Sequence, residues 1–257
     1  MKSRLRHLFL ILALLAACHA AAGQGKVYTR KMRLADFPTR TTKIVLAGNS
    51  FLELALREEI SVRWHISPFE FCTPEEYARI RNSSAWYFLT LAQEEGLSYL
   101  ILEKGGLPDE KDHLKKPFEV VRMPIASADD PTGRELVFMG AFLDILQQFV
   151  EEAMTSDKTA YGGLSATGSL SLKGRTVYLD PDAADEAFLR EEPDALSGLV
   201  IAPGVSGAGK FCYKMLISAG THELFLYEKS RCRVPSDAAF SDADARRFTR
   251  RGAVVKR

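Results

Sequence analysis

The longest helical pattern in the chain is RELVFMGAFLDILQQFVEEAMT, residues 134–155. Its apolar residues cover far more than one narrow stripe of a helix. A helix with such a wide apolar surface is expected to lie across a sheet rather than on the protein surface. We therefore place it at the centre of an α/β unit. The apolar residues are Leu136, Val137, Phe138, Met139, Phe142, Leu143, Ile145, Leu146, Phe149 and Val150.

The segments that precede this helix predict the strands it would cover. Ser50 pairs with Glu53, and Thr73 with Glu76, in the capping-box pattern that marks a helix start. The aromatic run at 85–92 could also form a helix, but the connection through Gly96 favours a β-hairpin. The predicted elements are strands at 43–47, 66–72, 85–92, 97–104 and 118–125, a helix from Ser50 to about Trp64 with the apolar face Leu52, Ala55, Leu56, Ile60 and Trp64, and a short helix from Thr73 to about Asn82.

The chain changes character after this unit. Residues 157–197 are rich in Gly, Ser, Ala and Asp and predict a connection with a strand pair at 169–172 and 175–179. Further strands are predicted at 199–203 and, as a hairpin, at 211–218 and 223–229. A final helix begins at Ser241. We expect an α+β fold, in which a mixed sheet with long helices packed on it is followed by a smaller β-rich C-terminal part with a hairpin and a terminal helix.

The first residues have the pattern of a secretory signal peptide. A basic patch from Lys2 to Arg6 precedes an apolar run from Leu8 to Ala17, and small residues follow at 20–23. The run is too short for a membrane-spanning helix. Ordinary cleavage after Ala22 or Gly23 and a lipobox at 15–18, with lipidation of Cys18, are both open. The expected organisation is a signal peptide at 1–23, a basic extended arm at 24–41, an α/β domain at 42–156, a connection at 157–197, and a hairpin with a terminal helix at 198–257.

The composition excludes several classes of protein. The chain has 257 residues, of which 46% are hydrophobic and 26% charged, so it can bury a substantial core. Disorder, a collagen-like fold and a small disulfide-stapled fold are excluded. Removal of the three cations in the first 23 residues leaves 31 Lys and Arg against 33 Asp and Glu, a net charge near −2. This balance does not fit a nucleic-acid-binding protein.

The element order across residues 42–155 resembles that of the TolB N-terminal domain and of CsgG-like envelope domains. The stretches at 41–49 and 212–218 also look like those of uncharacterised exported proteins of Gram-negative bacteria. The resemblance implies a location in the cell envelope and no particular chemistry.

The strongest candidate for catalysis is a thiol nucleophile at Cys72 with His65 or His222 as its base. His65 and Cys72 are seven residues apart, which places them on opposite faces of a strand. His222 lies at a hairpin tip, where a polar turn residue is the simpler interpretation. Cys72 lies in the apolar stretch 66–72 and is more simply a buried core residue. A periplasmic thiol-dependent hydrolase centred on Cys72 and His222 is therefore the alternative function.

No cofactor or metal site is predicted. The stretch Gly204 to Lys210 has the glycine and lysine spacing of a phosphate-binding loop, but Phe211 stands where a Ser or Thr should follow and a strand is predicted next. The histidines and cysteines share no metal-ligand spacing. Cys212 and Cys232 are the expected disulfide pair, if the chain forms one.

Two basic segments could bind an envelope protein or an anionic surface. One is the arm at 26–43, and the other is the C-terminal tail with Arg246, Arg247, Arg250, Arg251, Lys256 and Arg257. Favourable interaction with the helix dipole is the simpler explanation for the tail. The sequence thus predicts an exported, non-catalytic envelope protein, in the periplasm or at the outer membrane, that acts through protein or surface contacts.

Overall fold

A computed structural model describes residues 29–48, 50–106, 117–166, 171–204, 210–233 and 235–257. The predicted signal peptide, with Cys18, lies outside the described residues. The fold is α+β with two mixed five-stranded sheets, as the sequence predicts. No helix in these ranges is both long enough and apolar enough to span a membrane.

The first sheet has the strand order β2-β1-β3-β4-β5. Strand β1 lies parallel to both of its neighbours, whereas β3, β4 and β5 are antiparallel to one another. The predicted hairpin is thus confirmed as β3 and β4. The strands are β1 (Thr42–Val45), β2 (Phe69–Cys72), β3 (Tyr87–Glu94), β4 (Leu97–Lys104) and β5 (Phe118–Ser127).

Six helices accompany this sheet. The Ser50 and Thr73 side chains accept hydrogen bonds from Glu53 N and Glu76 N, so both predicted helix starts are confirmed. The predicted helix at 134–155 is interrupted at Phe138, which separates a short helix from a long one. The helices are α1 (Arg30–Leu34), α2 (Phe51–Arg63), α3 (Pro74–Ile80), α4 (Arg134–Val137), α5 (Met139–Thr155) and α6 (Asp157–Gly162).

The prediction of an extended basic arm at 24–41 is wrong for its described part. Residues 30–34 form helix α1, and a 3₁₀ turn follows at Phe37–Thr39. Leu34 and Phe37 are fully buried. The Tyr87 hydroxyl donates to Asp36 Oδ1 over 2.7 Å, and Lys104 Nζ donates to the same oxygen over 2.8 Å. These contacts hold the segment against the first sheet, so it belongs to the core.

The second sheet repeats the arrangement of the first. Its order is β10-β6-β7-β8-β9, in which the first three strands are parallel and β7, β8 and β9 are antiparallel. The predicted hairpin and terminal helix are confirmed, and Ser241 forms a capping box with Asp244. The elements are β6 (Thr176–Tyr178), α7 (Pro181–Leu189), β7 (Ala195–Ile201), β8 (Lys210–Ser218), β9 (Leu224–Cys232), α8 (Asp242–Arg250) and β10 (Val254–Lys256), with a 3₁₀ turn at Pro235–Ala238.

The predicted strand pair at 169–172 and 175–179 is not formed. Ser169 and Leu170 lie outside the described residues, and Ser171 and Leu172 are not in a strand. Strand β6 instead pairs in parallel with β7 and with β10, which comes from the far end of the sequence. Helix α7 was not predicted either, because the Asp- and Ala-rich segment has only a narrow apolar face.

One apolar core joins the two sheets. It contains Ile44 and Leu100 of the first sheet, Phe142 of α5, and Leu199 and Met215 of the second sheet. A smaller cluster lies between the second sheet and helix α8 and includes Leu216 and Phe248. The second sheet is thus covered on both faces.

Candidate functional site

Cys72 lies at the end of edge strand β2 and is only 6% exposed. Burial raises the pKa of its thiol to about 11, and the charge of Glu76 adds to this while Lys43 opposes it. A nucleophilic cysteine needs a lowered pKa and a basic partner. The environment of Cys72 is therefore that of a structural thiol.

We expect Cys72 to react slowly with thiol reagents. A rise in pKa from 9.0 to about 11 lowers its thiolate fraction at neutral pH about 100-fold. Iodoacetamide at pH 7.5 should label Cys72 at least about 100-fold more slowly in the native protein than in the urea-denatured protein. Peptide mass spectrometry measures the two labelling rates. Fast labelling of native Cys72 would restore the hydrolase alternative.

His222 is the candidate base, and the structure gives it a different partner. Its Nδ1 lies 2.7 Å from Asp144 Oδ2 of α5, and its ring stacks on Phe188 of α7 with centroids 5.2 Å apart. Arg63 Nη1 donates to the same Asp144 oxygen over 3.1 Å. His222 thus lies in the turn between β8 and β9, as the sequence predicts, and its side chain also makes contacts outside that turn. We call the first sheet with helices α1–α6 the first unit, and the second sheet with α7 and α8 the second unit. His222 links the β8–β9 turn to α2 and α5 of the first unit.

This cluster of Arg63, Asp144 and His222 was missed in the sequence. Asp144 gave the only signal, as an acidic residue within an otherwise apolar run of the long helix. His65, the other candidate base, is exposed, and its ring Nδ1 lies 2.8 Å from Arg63 O. Its backbone N–H donates to the buried Gln147 side chain over 2.9 Å. Both histidines are thus explained by contacts that hold the fold together.

Two further candidate sites of the sequence remain, the glycine-rich stretch and the Cys212–Cys232 pair. Residues 205–209 of the glycine-rich stretch lie outside the described residues, and a strand follows them, as predicted. Cys212 and Cys232 are free thiols on neighbouring strands, and burial, with Cys232 close by, raises the pKa of Cys212 to about 12. Within the described ranges, no group of three or more His, Cys, Asp or Glu side chains could hold a metal ion.

The outward face of α2 carries three large apolar side chains. Phe51 is 83% exposed, Leu54 is 51% exposed and Val62 is 84% exposed. At about 100° per residue, Val62 lies within about 20° of Phe51 around the helix, and Leu54 about 60° to one side. We call these three side chains the α2 ridge. Single exposed apolar residues are ordinary, and the exposed Glu58 and Ser61 lie on the same side of α2. The three apolar side chains make this face a candidate interaction surface.

The α2 ridge sits on a firmly held helix. Glu53 Oε1 accepts from Ala47 N over 2.6 Å, which fixes the loop that leads into the helix. On the inner face, Leu56 and Ile60 are fully buried. The ridge is therefore presented in one orientation, and little ordering of the backbone is needed when it binds.

Four of the six basic residues of the C-terminal tail fall into two groups. Arg247 pairs with Glu228 of β9 over 2.5 Å, and Lys256 Nζ donates to the Tyr178 hydroxyl over 3.1 Å. These two side chains hold the second unit together. Arg246 and Arg250 instead line a surface groove beside α8.

We compared the chain with protein-family models, with curated proteins and with solved structures, and none of them matches it.

Proposed function

We propose that the protein is an exported, non-catalytic component of the cell envelope that binds a partner protein through the α2 ridge. The observation that carries the proposal is the exposure of Phe51, Leu54 and Val62 on one face of a well-packed helix. Anchors repeated along one helix face are the pattern by which amphipathic helices enter an apolar groove. The partner would therefore present such a groove.

The contacts of the candidate catalytic residues favour binding over hydrolysis. Cys72 is buried with a raised pKa, and His222 is held by Asp144 and Phe188. A thiol-dependent hydrolase needs the thiol and the imidazole within hydrogen-bond reach of each other. Neither residue has the other among the contacts described here.

Photo-crosslinking in intact cells tests the α2 ridge. A benzophenone amino acid at position 62 should give a discrete crosslinked product, because the ridge lies against the partner. The same substitution at the exposed Arg79 of α3 should not give it. Leu54→Asp should abolish the product from position 62 while the protein remains folded, since Leu54 is half exposed.

Two results would contradict the proposal. One is the absence of any product from position 62, and the other is the same set of products from positions 62 and 79. A product of twice the protein's own mass would show that a second copy of this chain binds the α2 ridge. That result would also contradict the proposal of a different partner protein.

The proposed export has a separate test. Intact mass of the protein recovered from the cell envelope should show Gln24 as the first residue after ordinary cleavage, or a diacylglyceryl-modified Cys18 after lipoprotein processing. Either mass supports export. Recovery of the unprocessed chain in the cytoplasm would exclude it.

A further inference from the structure

A groove of about 530 Å³ runs between helix α8 and strand β10. Three arginines line it: Arg246 and Arg250 from the helix, and Arg257 from the end of the chain that returns along it. Asp242 is the single carboxylate in the lining, so the side chains around the groove carry a net charge of about +2. Ala245 and Val255 add an apolar wall.

The ion pairs around α8 leave the groove positively charged. Arg257 Nη1 binds Asp242 Oδ1 over 2.5 Å, which uses the only carboxylate of the lining. Arg247 points away from the groove, to Glu228 and Asp244. Among the described residues, no carboxylate lies within ion-pair distance of Arg246 or Arg250.

The helix dipole does not account for this arrangement. It favours a cation in the last turn of a helix, where Arg250 lies, but its effect fades within one turn. Arg246 lies one turn earlier, on the same face as Arg250, where two like charges four residues apart destabilise a helix. Asp242, four residues before Arg246, interacts electrostatically with Arg246 but is also paired with Arg257. The three arginines therefore keep an excess positive charge, which an anionic ligand would neutralise.

We infer that this groove binds a phosphate group carried by a larger molecule. Guanidinium groups match phosphate in both charge and geometry. The groove is open to solvent, and its volume far exceeds that of inorganic phosphate. The apolar wall of Ala245 and Val255 would contact the organic part of the ligand. This inference does not depend on the α2 ridge.

Vesicle co-sedimentation of the purified protein tests the inference. Vesicles that contain phosphatidylglycerol should bind the protein, and vesicles of phosphatidylcholine alone should bind it far more weakly. The variant Arg246→Gln/Arg250→Gln should weaken binding about 5-fold per arginine, or about 25-fold in all. The control Arg79→Gln/Lys158→Gln removes two exposed positive charges from the first unit and should change binding less than about 3-fold.

A second arm distinguishes a lipid headgroup from a soluble phosphate compound. If glycerol 3-phosphate binds in calorimetry and the vesicles do not, the ligand is a soluble phosphate, and if only the vesicles bind, it is a lipid headgroup. Binding in either arm or in both supports the inference when the arginine variant weakens it by about the expected 25-fold. Circular dichroism confirms that the variant is folded.

Three results would overturn the inference. The first is no binding in either arm, and the second is an equal loss of binding in the control variant. The third is that succinate competes for the groove as strongly as glycerol 3-phosphate does, which would indicate a general anion site rather than a phosphate site.

Discussion

Replacement of Phe138 by Ala is expected to lower the free energy of unfolding by about 3–5 kcal/mol, because it leaves a cavity in the shared core. Phe138 is fully buried at the junction of α4 and α5. Its ring centroid lies 4.2 Å from that of Phe188 on α7 and 6.4 Å from that of Phe142. The side chain thus connects helices of both units. Small proteins have a total stability of about 5–15 kcal/mol, so a loss of this size is a large share of it.

Phe51→Ala is the matched control, since it makes the same chemical change on the exposed α2 ridge. It should change the free energy of unfolding by less than about 0.5 kcal/mol. Urea denaturation followed by circular dichroism measures both variants. If the two variants lose equal stability, Phe138 is not packed between the two units as described.

The second large effect is expected at Asp244, which fixes helix α8 to the second sheet. Its Oδ2 accepts from Lys214 Nζ over 2.8 Å and from Ser241 N over 2.9 Å, and its Oδ1 pairs with Arg247 over 3.2 Å. Asp244→Ala would leave Lys214, which is largely buried, without its carboxylate. We expect a loss of about 2 kcal/mol in the free energy of unfolding, because a partly buried ion pair and the cap of the helix are lost together.

The contribution of Asp244 should depend on pH with a definite sign. Burial alone would raise the pKa of this carboxyl, but the hydrogen bonds and charge of Lys214 and the cap at Ser241 outweigh it and lower the pKa below 3.8. The ionised carboxylate therefore stabilises the fold above about pH 4, and this contribution is lost as the pH falls through the lowered folded-state pKa. The stability difference between the wild type and Asp244→Asn should be full at pH 7 and should shrink below about pH 4.

Asp182→Asn is the control for this prediction, because Asp182 also lies in the first turn of a helix but is exposed. It should change stability by about 0.5 kcal/mol or less at either pH. If the difference in the free energy of unfolding between the wild type and Asp244→Asn stays constant between pH 7 and pH 3.5, the charge of Asp244 does not stabilise the fold.

Helix starts and hairpins could be predicted from the sequence because their causes are local. Three helices begin with a side chain that accepts a hydrogen bond from the backbone N–H three residues later. These side chains are Ser50, Thr73 and Ser241. Both hairpins join strands that are adjacent in the chain. The inner face of α2 was also predicted correctly in part, since Leu56 and Ile60 repeat at helical spacing and are fully buried.

Long-range pairings could not be predicted in the same way. Strand β6 was expected to pair with its neighbour in sequence, but it pairs with β10 about 78 residues later. A strand of three residues carries too little pattern to specify a distant partner. The prediction of an extended basic arm was wrong for a related reason. The segment that contains Leu34 and Phe37 is held by hydrogen bonds from Tyr87 and Lys104, which lie far along the chain.

The sequence alone determined the starts of three helices, both hairpins and part of the buried face of α2, because caps, turns and side-chain periodicity act within a few residues. Only the tertiary structure decided what each face meets. It buries Cys72, holds His222 against Asp144, leaves Phe51 and Val62 exposed, and brings Arg246 and Arg250 to one groove. The physical reason is that burial and ionic contacts depend on segments far apart in the chain, whose arrangement is set by the packing of the whole core.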